Sequence, residues 1–77
     1  MKKLQKTAVA IKTPYISVDK LLKFSGVAET GGQAFYLVEQ GLVRLNGVLI
    51  SEKRKKCYVG DVVNIDGQIE ITVTAEA

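Results

Sequence analysis

The fold is decided by residues 18–65, which read VDKLLKFSGVAETGGQAFYLVEQGLVRLNGVLISEKRKKCYVGDVVNI. Apolar residues recur at spacings of three and four in the first half of this stretch, and they alternate with polar residues after position 42. The first spacing places apolar side chains on one face of a helix, whereas alternation places them on one face of a strand. The order predicts two short helices that lead into a hairpin and further strands.

The first helix is predicted to begin after Ser17, a candidate N-cap residue, and to end at Gly26. Its apolar face holds three residues: Val18, Leu21 and Leu22. Lys20 and Lys23 fall outside this face, so we expect both side chains to lie in solvent.

The second helix has the clearest start signal. In Thr30-Gly31-Gly32-Gln33 the hydroxyl of Thr30 can accept a hydrogen bond from the Gln33 amide, and the Gln33 side chain can reach back, which makes a capping box. Gly41 can adopt the left-handed conformation that ends a helix. The buried face is predicted to hold Ala34, Leu37 and Val38.

Glycine-containing pairs predict the turns between strands. Asn46-Gly47 lies among alternating apolar residues and is the strongest hairpin signal, because both turn positions require positive φ. Asp66-Gly67 predicts a second hairpin. Gly60-Asp61 predicts a turn in which the Asp61 carboxylate bonds turn amides.

A further strand is predicted at residues 7–12 and is ended by Pro14. Together these elements predict an α+β fold of order β-α-α-β-β-β-β, with two short helices packed on a small, mostly antiparallel sheet. The N- and C-terminal strands are expected to extend this sheet. The length predicts one domain over residues 1–77.

The charges are distributed unevenly along the chain, although the net charge is only +3. Eleven basic and four acidic residues give residues 1–58 a charge of +7, and four acidic residues give residues 59–77 a charge of −4. One side of the molecule should therefore carry a positive field that suits an anionic partner.

The composition argues against several classes of protein. The chain has no His, and one Cys with scattered carboxylates makes no metal site. We therefore expect no enzymatic activity, no bound cofactor and no bound metal. The single Cys57 precludes an intramolecular disulfide, which fits a reducing compartment. No apolar stretch approaches the roughly 20 residues of a membrane span. These features predict a soluble cytoplasmic protein, with a monomer as the default.

The order of motifs resembles a known family. A helix and Gly are followed by acid-Thr-x-x-Gln-Ala, a helix, Gly-x-Val-x-x-Asn-Gly, a basic stretch and Val-Gly-Asp-x-Val. This set resembles the S4-type RNA-binding domain, named for a ribosomal protein of the small subunit, and is most similar to its short stand-alone bacterial members. The resemblance covers about residues 17–66. No single motif is specific, but the ordered set at these spacings is.

The resemblance implies a two-helix and hairpin unit, the αL RNA-binding motif, that docks on structured RNA, either ribosomal or transfer RNA. It points to a ribosomal particle as a setting, in ribosome assembly or translation. Carried over by position, the RNA face comprises Lys20, Lys23, Thr30, Gly31, Gly32, Gln33, Arg44, Lys53, Arg54, Lys55 and Lys56. Many members have Ser-Arg where this chain has Thr30-Gly31, so a commonly RNA-facing arginine is missing here.

The residues themselves support parts of this face. Residues 53–56, which we call the basic turn, place four cations on a short turn, and cations bind RNA phosphates by releasing counterions. The alternative is a solvated loop that aids solubility. Arg44, Lys20 and Lys23 are expected to flank the same side, which favours binding. Amides at residues 31–33 can meet a phosphate at the helix start, or can serve in capping alone.

The aromatic residues and the cysteine are less decisive. Tyr36 falls opposite the buried face of the second helix, where it can stack on an unpaired base or lie half-buried at the helix edge. The other four rings are predicted to lie in the core or at its edge: Tyr15, Phe24, Phe35 and Tyr58. Cys57 is either a thiol with a lowered pKa beside four cations, or a small apolar residue at a strand start.

The alternative function is a ubiquitin-like sulfur carrier or a protein-interaction module. A carrier needs a C-terminal Gly-Gly, and Ala75-Glu76-Ala77 argues against one. A protein-binding role stays open, and it would predict binding that survives high salt. The sequence leaves open which RNA is bound.

Overall fold

The computed structural model describes residues 4–76 as two helices, a five-stranded sheet and a separate two-stranded sheet. The elements in chain order are β1 Gln5–Ile11, β2 Tyr15–Ser17, α1 Val18–Phe24, α2 Gly31–Glu39, β3 Val43–Leu45, β4 Val48–Leu49, β5 Lys56–Tyr58, β6 Val62–Ile65 and β7 Ile69–Ala75.

The larger sheet has the strand order β1-β7-β6-β3-β4. Only the β1–β7 pair is parallel, and the other pairs are antiparallel. This confirms the predicted α+β fold, the mostly antiparallel sheet and the role of the terminal strands in extending it.

The predicted element order lacked two short strands, β2 and β5, which pair only with each other in antiparallel register. Tyr15 lies opposite Tyr58, Ile16 opposite Cys57, and Ser17 opposite Lys56. Each strand has three residues, too few for a period to show, and β5 overlaps the basic turn. We call this pair of strands the ribbon.

The core lies between the helices and one face of the larger sheet. Within residues 4–76 the core holds sixteen buried residues, which are aliphatic apart from Cys57 and include no aromatic residue. The predicted inward faces of both helices are confirmed, with Leu37 only partly buried. The helices therefore cover the apolar sheet face, and the opposite face stays open to solvent.

The two helix starts are built differently. At α2 the capping box is confirmed: Thr30 Oγ1 accepts from the Gln33 amide at 3.1 Å, and Gln33 Oε1 accepts from the Glu29 amide at 2.7 Å. At α1 Ser17 is the N-cap residue, as predicted, but its side chain makes no capping hydrogen bond. The Val18 amide donates instead to the Lys55 carbonyl at 2.8 Å, which fixes the basic turn to the start of α1.

A polar clamp centred on Asn46 joins the β3–β4 hairpin to the next turn. Asn46 and Gly47 have φ values of 50° and 84°, as predicted for the Asn-Gly turn. The Asn46 side chain accepts from the Val62 amide at 2.9 Å and donates to Asp61 at 3.1 Å. Asp61 also accepts from the Tyr58 amide at 2.8 Å, which confirms its predicted role. The clamp thus positions β5 relative to the hairpin.

We expect Asn46→Ala to lower the free energy of unfolding by about 1–2 kcal/mol, because it removes two hydrogen bonds and keeps a positive φ. Asp66→Ala is the matched control, since Asp66 has φ 54° but its side chain bonds only Gln68, at 3.2 Å. Urea unfolding followed by circular dichroism measures both. Equal losses would mean that backbone strain, and not the clamp, carries the effect.

Candidate nucleic-acid interface

The basic turn lies beside α2. The Lys53 ammonium forms an ion pair with Glu39 and sits 5.3 Å from the centroid of the Phe35 ring. Both charged side chains remain about half exposed, so the pair contributes little to stability. Its main consequence is geometric, because it holds the turn against the second half of α2.

The other end of the basic turn reaches the ribbon. The Lys56 ammonium lies 4.7 Å from the centroid of the Tyr15 ring. Lys55 is half-buried, whereas Arg54 is exposed and forms no ion pair within residues 4–76. The four cations therefore spread from α2 to the ribbon, and Arg54 is open to an external anion.

Of the two predicted cations of α1, one lies beside the ribbon. Lys20 is exposed and lines a surface groove of about 580 Å³ together with Tyr15 and Phe24. Lys23 is exposed in the last turn of α1, where its charge complements the helix dipole. The structure thus brings both Lys20 and Lys56 to the surroundings of Tyr15.

The start of α2 is open to an approaching group. A Cβ added at Gly31 would meet nothing within 4 Å, and one at Gly32 would meet only the Thr30 hydroxyl, at 3.8 Å. Packing therefore does not require glycine at either position. The expectation of three free amides is corrected to two, because the Gln33 amide is already bonded to Thr30.

Arg44 lies apart from the other predicted residues. It pairs with Asn64 across β3 and β6, while its neighbour Val43 is fully buried, so Arg44 points to the open face of the sheet. Glu70 and Lys6 follow Asn64 in the same row. The expectation that Arg44 flanks the same side as Lys20 and Lys23 is wrong, because the helices cover the other sheet face.

Most of the aromatic rings are on the surface. Tyr36 is 59% exposed, in agreement with its place opposite the buried face of α2. The prediction of positions in the core or at its edge is wrong for Phe24, which is 67% exposed, and for Tyr15 and Tyr58, which are 41% and 48% exposed. Phe35 is half-buried, as expected for a core edge. Ile16 and Cys57 are the inward residues of the ribbon, and strands of three residues are too short for alternation to reveal this from the sequence.

Cys57 is fully buried in β5. Burial, and secondarily the negative charge of Asp61, raises the pKa of its thiol from 9.0 to about 11. The hypothesis of a lowered pKa is therefore wrong, and Cys57 acts as a small apolar residue. Within residues 4–76, no three His, Cys, Asp or Glu side chains are grouped to hold a metal ion. No helix of that range has the length and apolarity needed to cross a membrane.

The helix pair, the Asn-Gly hairpin and the basic turn define the architecture of a small S4-like domain. The chain belongs to the S4 domain family, whose model matches residues 9–74. It is 34% identical over 59 residues to the probable ribosome maturation protein RlbA of Bacillus subtilis, covering 77% of this chain and 83% of that one. It is also 34% identical over 56 residues to the putative RNA-binding protein YbcJ of Escherichia coli, covering 73% and 80%.

Two solved structures have folds similar to that of this chain. The solution structure of Escherichia coli YbcJ, described as revealing a motif involved in RNA-binding, has a TM-score of 0.67 and 29% identity, covering 97% of this chain and 92% of that one. The 30S ribosomal protein S4e of Thermoplasma acidophilum has a TM-score of 0.61 and 21% identity. This chain spans 30% of S4e, and at that identity the match shows the fold alone.

Proposed function

We propose that this protein binds structured RNA without catalysing a reaction, and that the RNA is ribosomal, in ribosome assembly or translation. The observation that carries the proposal is that a member of the S4 domain family holds a cation-rich turn between α2 and the ribbon. The names of the relatives, a ribosome maturation protein and an RNA-binding protein, support the same setting.

The proposed interface is the helix side of the molecule. Its phosphate-binding groups are six cations and the two open amides: Lys20, Lys23, Lys53, Arg54, Lys55, Lys56, Gly31 and Gly32. Thr30 and Gln33 act by holding the α2 start in shape, and Tyr36 supplies an exposed ring. Arg44 is outside this interface because it lies on the opposite sheet face. Since A-form RNA hides its base edges in a deep groove, phosphate contacts and shape dominate such binding.

The proposal extends to the working form of the molecule. We infer that residues 1–77 act as one domain, as a monomer in the cytoplasm, with no metal or cofactor. The raised pKa of Cys57 fits a domain without a catalytic nucleophile, because the thiol stays protonated at neutral pH.

The test is a titration of the purified protein against ribosomal RNA and against duplex DNA of equal length, at low and near-physiological salt. We expect RNA binding to persist at the higher salt while DNA binding is lost. Equal, salt-fragile binding to both would contradict the proposal, since any cationic patch binds phosphate in that way. Absence of binding to either nucleic acid would favour a protein partner instead.

A further inference from the structure

We propose that the outer face of the ribbon and the adjoining side of α1 form a stacking platform for an unpaired RNA base. The platform consists of Tyr15, Tyr58 and Phe24, flanked by Lys20 and Lys56. This inference rests on the proposed function and deepens it. The RNA that the protein selects would carry an unpaired nucleotide beside a helical segment, and not be a plain duplex.

The ribbon is built with a buried face and an aromatic face. Ile16 and Cys57 lie opposite each other and point into the core, with 6% and 0% exposure. Because side chains alternate along a strand, the neighbouring pair Tyr15 and Tyr58 points outward. Their ring centroids are 5.8 Å apart and the ring planes meet at 52°, so the rings form an angled surface instead of covering each other.

Phe24 extends this surface across a groove. Tyr15 and Phe24 both line the groove of about 580 Å³, a size within the range of about 300–1,000 Å³ for sites that hold small molecules. Phe24 is two-thirds exposed at the last position of α1. The hydrophobic core accounts for none of these three rings, and exposed apolar surface of this kind marks an interaction site.

The charges around the rings favour a nucleotide over an apolar partner. Lys56 stands over the Tyr15 ring, and Lys20 and Lys12 line the groove. Among residues 4–76, Glu76 is the one carboxylate in the groove lining, and it is paired with Lys12 at 3.6 Å. Aromatic faces stack on bases of any sequence, and adjacent cations bind the phosphates on either side. In a paired helix the base faces are already stacked, so the platform requires an unpaired base.

The test compares a 20-base-pair RNA duplex with the same duplex carrying a three-adenosine bulge. The wild-type protein should bind the bulged RNA roughly tenfold more tightly, in keeping with the contribution of a stacked base. The double variant Tyr15→Leu, Phe24→Leu keeps apolar bulk and charge, and it should abolish this preference while changing duplex affinity less than about twofold. The control is Val48→Ala on β4, which trims an apolar side chain as exposed as Phe24. It should change neither the affinity for the duplex nor that for the bulged RNA.

A second readout reports stacking itself. With 2-aminopurine at the middle of the bulge, wild-type protein should quench its fluorescence, and the double variant should not. Equal wild-type affinity for the two RNAs, or an undiminished preference in the double variant, would overturn the platform and leave RNA binding intact. Failure of both RNAs to bind would overturn the proposed function as well.

Loss of structure in the double variant would show as lost duplex binding and altered circular dichroism. In that case Phe24→Leu alone decides, because Phe24 is the most exposed of the three rings. A full bulge preference in a folded Phe24→Leu variant would overturn the platform.

Discussion

Replacing Lys53, Arg54, Lys55 and Lys56 with alanine is expected to weaken RNA binding by roughly a hundredfold at about 50 mM salt. Binding of each phosphate releases counterions, which makes log affinity fall as log salt rises. The magnitude of this negative slope should decrease by about 0.7–0.9 for every phosphate that the variant no longer binds. If the variant loses three phosphate contacts, the magnitude of the slope should decrease by roughly 2 to 3. Filter binding or fluorescence anisotropy over a salt series measures both quantities.

The charge-matched comparison uses one lysine and one arginine on each side of the molecule. Lys53→Ala with Arg54→Ala removes two cations from the helix side, and Lys6→Ala with Arg44→Ala removes two from the open sheet face. Lys53 and Lys6 each have a carboxylate partner, Glu39 and Glu70. We expect only the first pair to reduce affinity strongly. An equal loss in both would indicate attraction by net charge alone and would refute a site at the basic turn.

The local elements could be predicted from the sequence because their signals are contained in a few residues. The Thr30–Gln33 capping box, the left-handed Gly41 after α2 and the Asn46-Gly47 turn are all present as predicted. Each depends on the conformation or hydrogen bond of a residue within four positions. Such features are independent of how the rest of the chain packs.

The ribbon could not be predicted in the same way, because Tyr15 and Tyr58 become neighbours only when distant strands pair. A three-residue strand has no period to detect, and its stability comes from the inward burial of Ile16 and Cys57. The sequence therefore predicts positions in the core or at its edge for Tyr15 and Tyr58, although aliphatic residues and Cys57 fill the core.

The position of Arg44 relative to the helices depends on which face of the sheet the helices cover. Alternation correctly separated Arg44 from Val43, but the helices pack against the face that holds Val43. Arg44 lies on the opposite face and is therefore remote from the helix cations. The sequence alone does not show which sheet face the helices cover, so this separation could not be predicted. The contacts of individual residues with RNA stay predictions.

The largest expected effect on stability is that of Leu21→Ala in α1. Leu21 is completely buried between the helices and the sheet, so truncation removes apolar packing and leaves a cavity. We expect the free energy of unfolding to fall by about 2–5 kcal/mol. Native proteins typically have a total free energy of unfolding of only about 5–15 kcal/mol, so this loss is a large fraction of it. The melting temperature should drop by roughly 10–30 °C. Thermal and urea unfolding by circular dichroism measure the loss.

Leu49→Ala makes the same chemical change at a half-exposed position on β4, where the cost should stay below about 1 kcal/mol. The loss at Leu21 would reflect packing and not helix propensity, because alanine is the better helix former and would by itself favour α1. Since α1 also carries Lys20, RNA affinity of the Leu21→Ala variant should follow its folded fraction and recover on cooling below its melting transition. Similar losses in the two variants would mean that α1 is not anchored by Leu21, and the position of Lys20 beside the ribbon would then lack its structural support.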